Sequence, residues 1–182
     1  MKTWQIVLFG AVMLLFLWFP YNMIRQSRFI LKNGDPYRFL LQPIDPYDVF
    51  RGSYVTLNYN RNLVPAQDSF YTYQDVYLSI TTDTAGFAYF EQAYQAPPEN
   101  RPYLKAKVEY YSEGEIHVDI PENIRYYYLN EKTAPQVERA LTRPRTSNDT
   151  ENRVYVQVRI RKGEAVVEEL YINDLTVREF FK

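Results

Sequence analysis

Residues 104–120 read LKAKVEYYSEGEIHVDI. Leu104, Ala106, Val108 and Tyr110 alternate with Lys105, Lys107, Glu109 and Tyr111. After Glu113-Gly114 the alternation resumes, with Ile116, Val118 and Ile120 set against Glu115, His117 and Asp119. A period of two sends one set of side chains to a core and the other to solvent, as in antiparallel strands with one wet face. The Glu-Gly pair between the runs predicts a hairpin.

Working outward, the same reading recurs. Val154–Arg161 and Glu164–Ile172 flank a Lys162-Gly163 turn and form a second hairpin. Both hairpins carry a Gly-Glu pair after the turn, which hairpin chemistry explains without a duplication. Val55, Leu57 and Tyr59 oppose Tyr54, Thr56 and Asn58, and Val76, Leu78 and Ile80 oppose Tyr77, Ser79 and Thr81. Residues 87–95 (FAYFEQAYQ) give a further strand. One helix is expected after Thr133, which with Gln136 forms a capping box; Pro135 suits its first turn. Ala134, Val137, Ala140 and Leu141 share its apolar face, and Arg143-Pro144 ends it. Residues 96–102 and 143–152 read as loops. The fold class is therefore mainly β (α+β): an antiparallel sheet or barrel-like domain with one packed helix.

Before this domain lies an apolar run. Residues 6–19 read IVLFGAVMLLFLWF, and the apolar character extends from Trp4 to Ile24. Twenty-one helical residues cover about 30 Å, one hydrocarbon core. Trp4, Trp18 and Tyr21 suit the two interfaces, and Pro20 sits near the far end. A cleaved signal peptide would have a shorter run followed by a small-x-small site; WFPYNMIRQSRF follows here. The expected organisation is a transmembrane anchor at 1–24 and a β-rich soluble domain at 25–182. Arg25, Arg28 and Lys32 follow the run and Lys2 precedes it, so the positive-inside rule favours a cytoplasmic domain. A short N-terminal tail before a long domain is instead the plan of an exported anchored protein. The latter is the orientation expected here.

Composition excludes several chemistries. The 182 residues hold no Cys and one His, which rules out disulfides, thiol nucleophiles, cysteine metal sites and any reaction needing two histidines. Lys2 is the one charged residue of the first 24, so the remainder carries 20 of the 21 basic residues against all 22 acidic ones, interspersed. No basic footprint for nucleic acid is present; the three arginines of 139–145 fit a loop beside a helix end.

The most distinctive segment is 43–59, PIDPYDVFRGSYVTLNY. Asp45-Pro46 and Asp48 favour a turn, and Arg51-Gly52 a second turn into a strand. This run resembles the signature DPxDxxRGDYxxLxY of the GDYxxLxY family of membrane-anchored bacterial proteins. Asp45, Pro46, Asp48, Arg51, Gly52, Tyr54, Leu57 and Tyr59 match, eight of nine signature positions; Ser53 stands where the family usually has Asp. Residues 124–141 (IRYYYLNEKTAPQVERAL) resemble the family's later aromatic strand and helix, with Glu131 and Glu138 as its acids, and the hairpin at Gly163 fits too. The resemblance implies a bacterial, membrane-anchored protein and no particular activity. The Ser53 change argues against a catalytic role for the usual Asp.

Each candidate site has a plain structural alternative. Ser53 with Lys105 or Lys107 would be a displaced version of a signal peptidase's Ser–Lys pair. No Ser or Thr precedes the Gly52 turn, where that nucleophile belongs, and ordinary turn and surface roles suffice. Glu115, His117 and Asp119 share a strand face and could hold a divalent ion with further ligands, but that face is the wet one. Arg51 bridging Asp45 and Asp48 is a turn clamp. Tyr126, Tyr127, Tyr128 and Glu131 form a candidate partner surface, to which Tyr54, Tyr77, Tyr89, Tyr103 and Tyr111 could add. The Asn148-Asp149-Thr150 sequon is incidental in a bacterial chain. The expected function is a non-catalytic binding or interaction module at the cell envelope, held in the cytoplasmic (inner) membrane through residues 4–24. No catalytic residue, cofactor or metal is assigned. Its expected partner is a protein, possible membrane-embedded ones included. The alternative is a signal-peptidase-like anchored hydrolase with a lost or displaced nucleophile.

Overall fold

Helix α1 (Thr3–Asn33) runs through the whole apolar stretch and continues nine residues beyond Ile24. It is long and apolar enough, by length and composition, to cross a membrane. The computed structural model describes residues 3–42, 54–59, 63–130, 136–137 and 153–181. Past the apolar run the helix is held by polar and apolar ties to the sheet. Ile30 is buried, Gln26 Nε2 donates to Glu164 Oε2 at 2.5 Å, and the Arg161 guanidinium lies 4.9 Å from the centre of the Phe29 ring. The Gly34 N–H closes the helix on Ile30 O at 2.7 Å, and strand β1 (Asp35–Leu40) begins at the next residue. A Cβ on Gly34 would lie 2.7 Å from Ile30 O and 3.2 Å from Ile160 O, so the crossing requires glycine.

Among the described residues ten further strands follow: β2 (Tyr54–Thr56), β3 (Leu63–Pro65), β4 (Asp75–Thr82), β5 (Ala88–Tyr94), β6 (Tyr103–Ser112), β7 (Glu115–Asp119), β8 (Tyr126–Tyr128), β9 (Val154–Arg161), β10 (Glu164–Ile172) and β11 (Leu175–Thr176). Nine strands form one open sheet in the order β11-β10-β9-β1-β5-β4-β6-β7-β3, and β2 pairs with β8 in a separate ribbon. Among the described strands every ladder is antiparallel except β1 with β5, so the sheet is mixed. It curls until Ala66, next to β3, makes a single bridge to Ala93 of β5, and it stops short of a barrel. The concave side holds the core, in which Leu78, Leu104, Ile116, Ile124 and Leu170 are fully enclosed. Each such side chain contributes about 1.5–3 kcal/mol through burial. Short helices α2 (Glu122–Arg125) and α3 (Val177–Phe180) flank the sheet, the latter with a Thr176–Glu179 capping box. Of the helix expected after Thr133, the described residues Gln136 and Val137 are helical and Val137 is wholly buried.

The hairpin turns explain the register. Glu113 and Gly114 have φ of 51° and 84°, and Lys162 and Gly163 have 50° and 82°. Asn173 and Asp174, between β10 and β11, have 52° and 64°. Two successive residues at positive φ match the twist of the flanking strands and fix a two-residue loop. Gly163 carries a second constraint. Its carbonyl accepts from the Lys105 N–H at 2.8 Å, and a Cβ there would lie 2.6 Å from the Tyr103 ring.

Bulges account for the departures from strict alternation. Between Val108 and Tyr110 the β6–β7 register shifts by one residue. Tyr110, expected on the core face, is therefore exposed, while Tyr111 packs against the core. At the β4–β5 bulge, the buried Ser79 hydroxyl accepts from Gln92 N–H at 3.2 Å and replaces a lost ladder bond. The β9–β10 bulge releases Glu168 toward Arg159. Its carboxylate accepts from Arg159 Nε at 2.6 Å, Arg159 Nη2 at 2.9 Å and Gln157 Nε2 at 2.7 Å. Arg159 Nη1 also donates to Gly34 O at 3.2 Å, and Arg161 Nη1 to Asn33 O at 2.9 Å.

Two outcomes are expected. Gly114→Ala should lower stability by about 1–2 kcal/mol, the cost of a left-handed backbone, because nothing lies near its Cβ. Gly163→Ala should cost more, since the Tyr103 ring must also move; urea unfolding of the two full-length variants measures the difference. The guanidinium of Arg159 holds the Glu168 carboxyl below its ordinary value of 4.5. A depressed carboxyl stabilises the fold above that value, and the contribution is lost as pH falls through the folded-state value. Glu168→Gln should remove on the order of 1 kcal/mol at neutral pH and flatten the acid limb of the unfolding midpoint.

Candidate functional site

The ribbon of β2 and β8 joins the two segments that the sequence singles out. Tyr54 pairs with Tyr128, Val55 with Tyr127 and Thr56 with Tyr126. Alternation then divides the residues between two faces.

The inner face anchors the ribbon. Val55, Leu57 and Tyr59 are buried, as their spacing predicts. Tyr59 meets Phe39 edge-on, with ring centres 5.6 Å apart, and its hydroxyl donates to Ile124 O at 2.5 Å. Burial pushes that hydroxyl's pKa up. Leu57 N–H donates to Arg125 O at 2.7 Å, and Gln42 N–H to Asn58 O at 2.8 Å, so this short segment is fastened to both α2 and the end of β1. Tyr127, one of the candidate surface residues, also points inward. It packs against the core and donates to Glu169, and burial raises its pKa with the carboxylate adding to the effect.

The outer face is a cluster of three rings. Tyr54 lies 5.0 Å from Tyr126 and 5.9 Å from Tyr128, both tilted toward edge-on packing. Such pairs contribute about 0.5–1.5 kcal/mol beyond their burial, so the rings hold one another in place. Tyr128 remains 75% exposed. The other tyrosines considered for this surface lie elsewhere: Tyr77 and Tyr103 pack on each other at 5.8 Å, beside Gly163, and Tyr111 packs on the core.

Asp45, Pro46, Asp48, Arg51, Gly52, Ser53, Glu131 and Glu138 lie outside the described residues, as does the Asn148 sequon. Lys105 Nζ is paired with Asp75 Oδ2 at 2.8 Å, and this hydrogen bond raises the lysine's pKa, the opposite of what a general base requires. His117 Nδ1 lies 2.5 Å from Glu109 Oε2 and its ring stacks on Tyr110, while Asp119 pairs with Arg125. Among the described residues, no group of three or more His, Asp or Glu is placed to hold a metal. The sequence reading missed α2, whose Arg125 binds both Asp119 and Ile120 O and so sets the β7–β8 connection. Pro121-Glu122 is its only sequence signal, and four residues show no periodicity.

Residues 16–170 match the family described as GDYXXLXY protein. The chain belongs to the GDYXXLXY family. That description names a signature rather than an activity. No curated protein and no solved structure matches the chain. In this GDYXXLXY protein the signature's Leu57 and Tyr59 build the core, whereas Tyr54 faces outward with the later tyrosines.

Tyr59→Phe would leave Ile124 O without its buried donor and should cost about 1–3 kcal/mol. Tyr54→Phe keeps the outer ring packing and should change stability by no more than about 0.5 kcal/mol. Thermal unfolding of the two variants tests the inward and outward roles assigned to the signature tyrosines.

Proposed function

We propose that this protein is a membrane-anchored, non-catalytic interaction module of the bacterial cell envelope. Its outer ribbon face would contact an extramembrane segment of a protein embedded in the same membrane. The observation that carries this reading is the Tyr54–Tyr126–Tyr128 cluster. Its rings are braced by one another, yet Tyr128 is largely exposed. Tyrosine offers a large amphipathic contact area at low entropic cost, the property used at protein interfaces.

Retention of α1 as an anchor is supported by its far end. Gln26, Phe29 and Ile30 all pack on or bond to the sheet, so this part of the helix belongs to the domain. The proposed orientation places the sheet outside the cytoplasm, on the plan of a short N-terminal tail and a long following domain. The exposed ion pair of Lys105 with Asp75 supports the non-catalytic reading over the signal-peptidase-like one.

A photo-reactive side chain at position 128 of the full-length protein in cells should give one recurrent adduct with an integral membrane protein. The same side chain at Glu99, on an exposed loop, should not. Tyr54→Ser should weaken the adduct while lowering the melting temperature by no more than about 10 °C, the cost of its two ring pairs. Equal labelling at both positions, or glycan binding without any protein adduct, would overturn the assignment.

A further inference from the structure

The part of α1 beyond the apolar run has two dissimilar faces. Gln26, Ile30 and Asn33 are spaced as one helical face and meet the sheet: Gln26 bonds Glu164, Ile30 is buried, and the Asn33 carbonyl accepts from Arg161. Arg25, Arg28 and Lys32, spaced i, i+3 and i+7, form a second stripe. At about 100° per residue, that stripe lies roughly opposite the docked one. All three cations are exposed, and none is in an ion pair among the described residues. The neighbouring arginines behave differently, since Arg159 and Arg161 turn inward to the helix end.

We infer that Arg25, Arg28 and Lys32 form a binding stripe for the headgroups of anionic phospholipids in the leaflet from which α1 emerges. This rests on the reading of α1 as a membrane anchor. The distances suit it. Arg25 follows the apolar run directly, and seven residues of helix raise Lys32 about 10 Å above it, just past the roughly 5–8 Å of one headgroup layer and within reach of its long side chain. The stripe faces away from the sheet, so lipid can reach it laterally. It has the charge to complement phosphate, and arginine matches phosphate oxygens with a planar fork of donors. Each basic residue near an anionic surface strengthens attraction roughly fivefold, and the stripe supplies three.

The two tryptophans, Trp4 and Trp18, both lie in α1, and Trp18 is exposed seven residues before Arg25. They report which lipids surround the helix. The full-length protein is reconstituted into vesicles of about three parts phosphatidylcholine to one part phosphatidylglycerol, in which either the phosphatidylglycerol or an equal amount of the phosphatidylcholine carries brominated chains. Brominated phosphatidylglycerol should quench more strongly at equal mole fraction, with an apparent preference above about fivefold. The preference should fall to near unity in the triple variant Arg25→Gln, Arg28→Gln, Lys32→Gln, and should shrink in high salt. Equal quenching by the two lipids in the unaltered protein overturns the lipid stripe while leaving the anchor reading intact. An absence of quenching by either lipid overturns the anchor reading itself. A photo-reactive group at position 28 that captures an acidic protein segment and no lipid also counts against the stripe.

Discussion

Two carbonyls at the end of α1 are held by two arginines from β9. Arg161 takes Asn33 O and Arg159 takes Gly34 O, while Glu168 fixes the Arg159 guanidinium from the β9–β10 bulge. A helix end is rich in unpaired acceptors and carries partial negative charge, so cations there satisfy both needs. This attachment sets the course of β1, which starts immediately after Gly34 and runs between β9 and β5. An interior strand of the sheet is thus a continuation of the helix. The bulge at Glu168 and the small volume of Gly34 serve the same junction.

The family signature divides its work between two directions. Its last residues, Leu57 and Tyr59, fasten the ribbon to Phe39, α2 and the end of β1. Tyr54, three residues before Leu57, presents its ring on the other face with Tyr126 and Tyr128. One short strand therefore secures the ribbon and shapes its exposed side together. The second tyrosine strand obeys the same rule, with Tyr127 inward and its two neighbours outward.

Much of this was legible in the sequence because it depends on local chemistry. Alternation located the long strands, and Glu113-Gly114 and Lys162-Gly163 marked their turns. The parallel contact of β1 with β5 was not legible, because it depends on where α1 delivers the chain. Tyr110 was misplaced because a bulge adds one residue and inverts the pattern without leaving a compositional trace. The turn at Asn173-Asp174 passed unread for a related reason, since β11 is two residues long and has no period of its own. The three adjacent tyrosines could be split two to one by alternation, but which set faced water required the pairing with Tyr54. Helix α1 outran the apolar stretch because its last turns are held by docking on the sheet.

The single residue between α1 and β1 has a mechanical consequence. A flexible tether lets a domain sweep a volume and meet partners at many heights. Gly34 allows no such slack, because its backbone is clamped by Ile30 and Arg159. In the proposed membrane setting the sheet is a fixed bracket, and its tyrosine ribbon rides at one altitude above the bilayer. Only a neighbour that exposes its own contact surface at that level can engage it, and a sideways push on the ribbon becomes a tilt of the helix in the membrane.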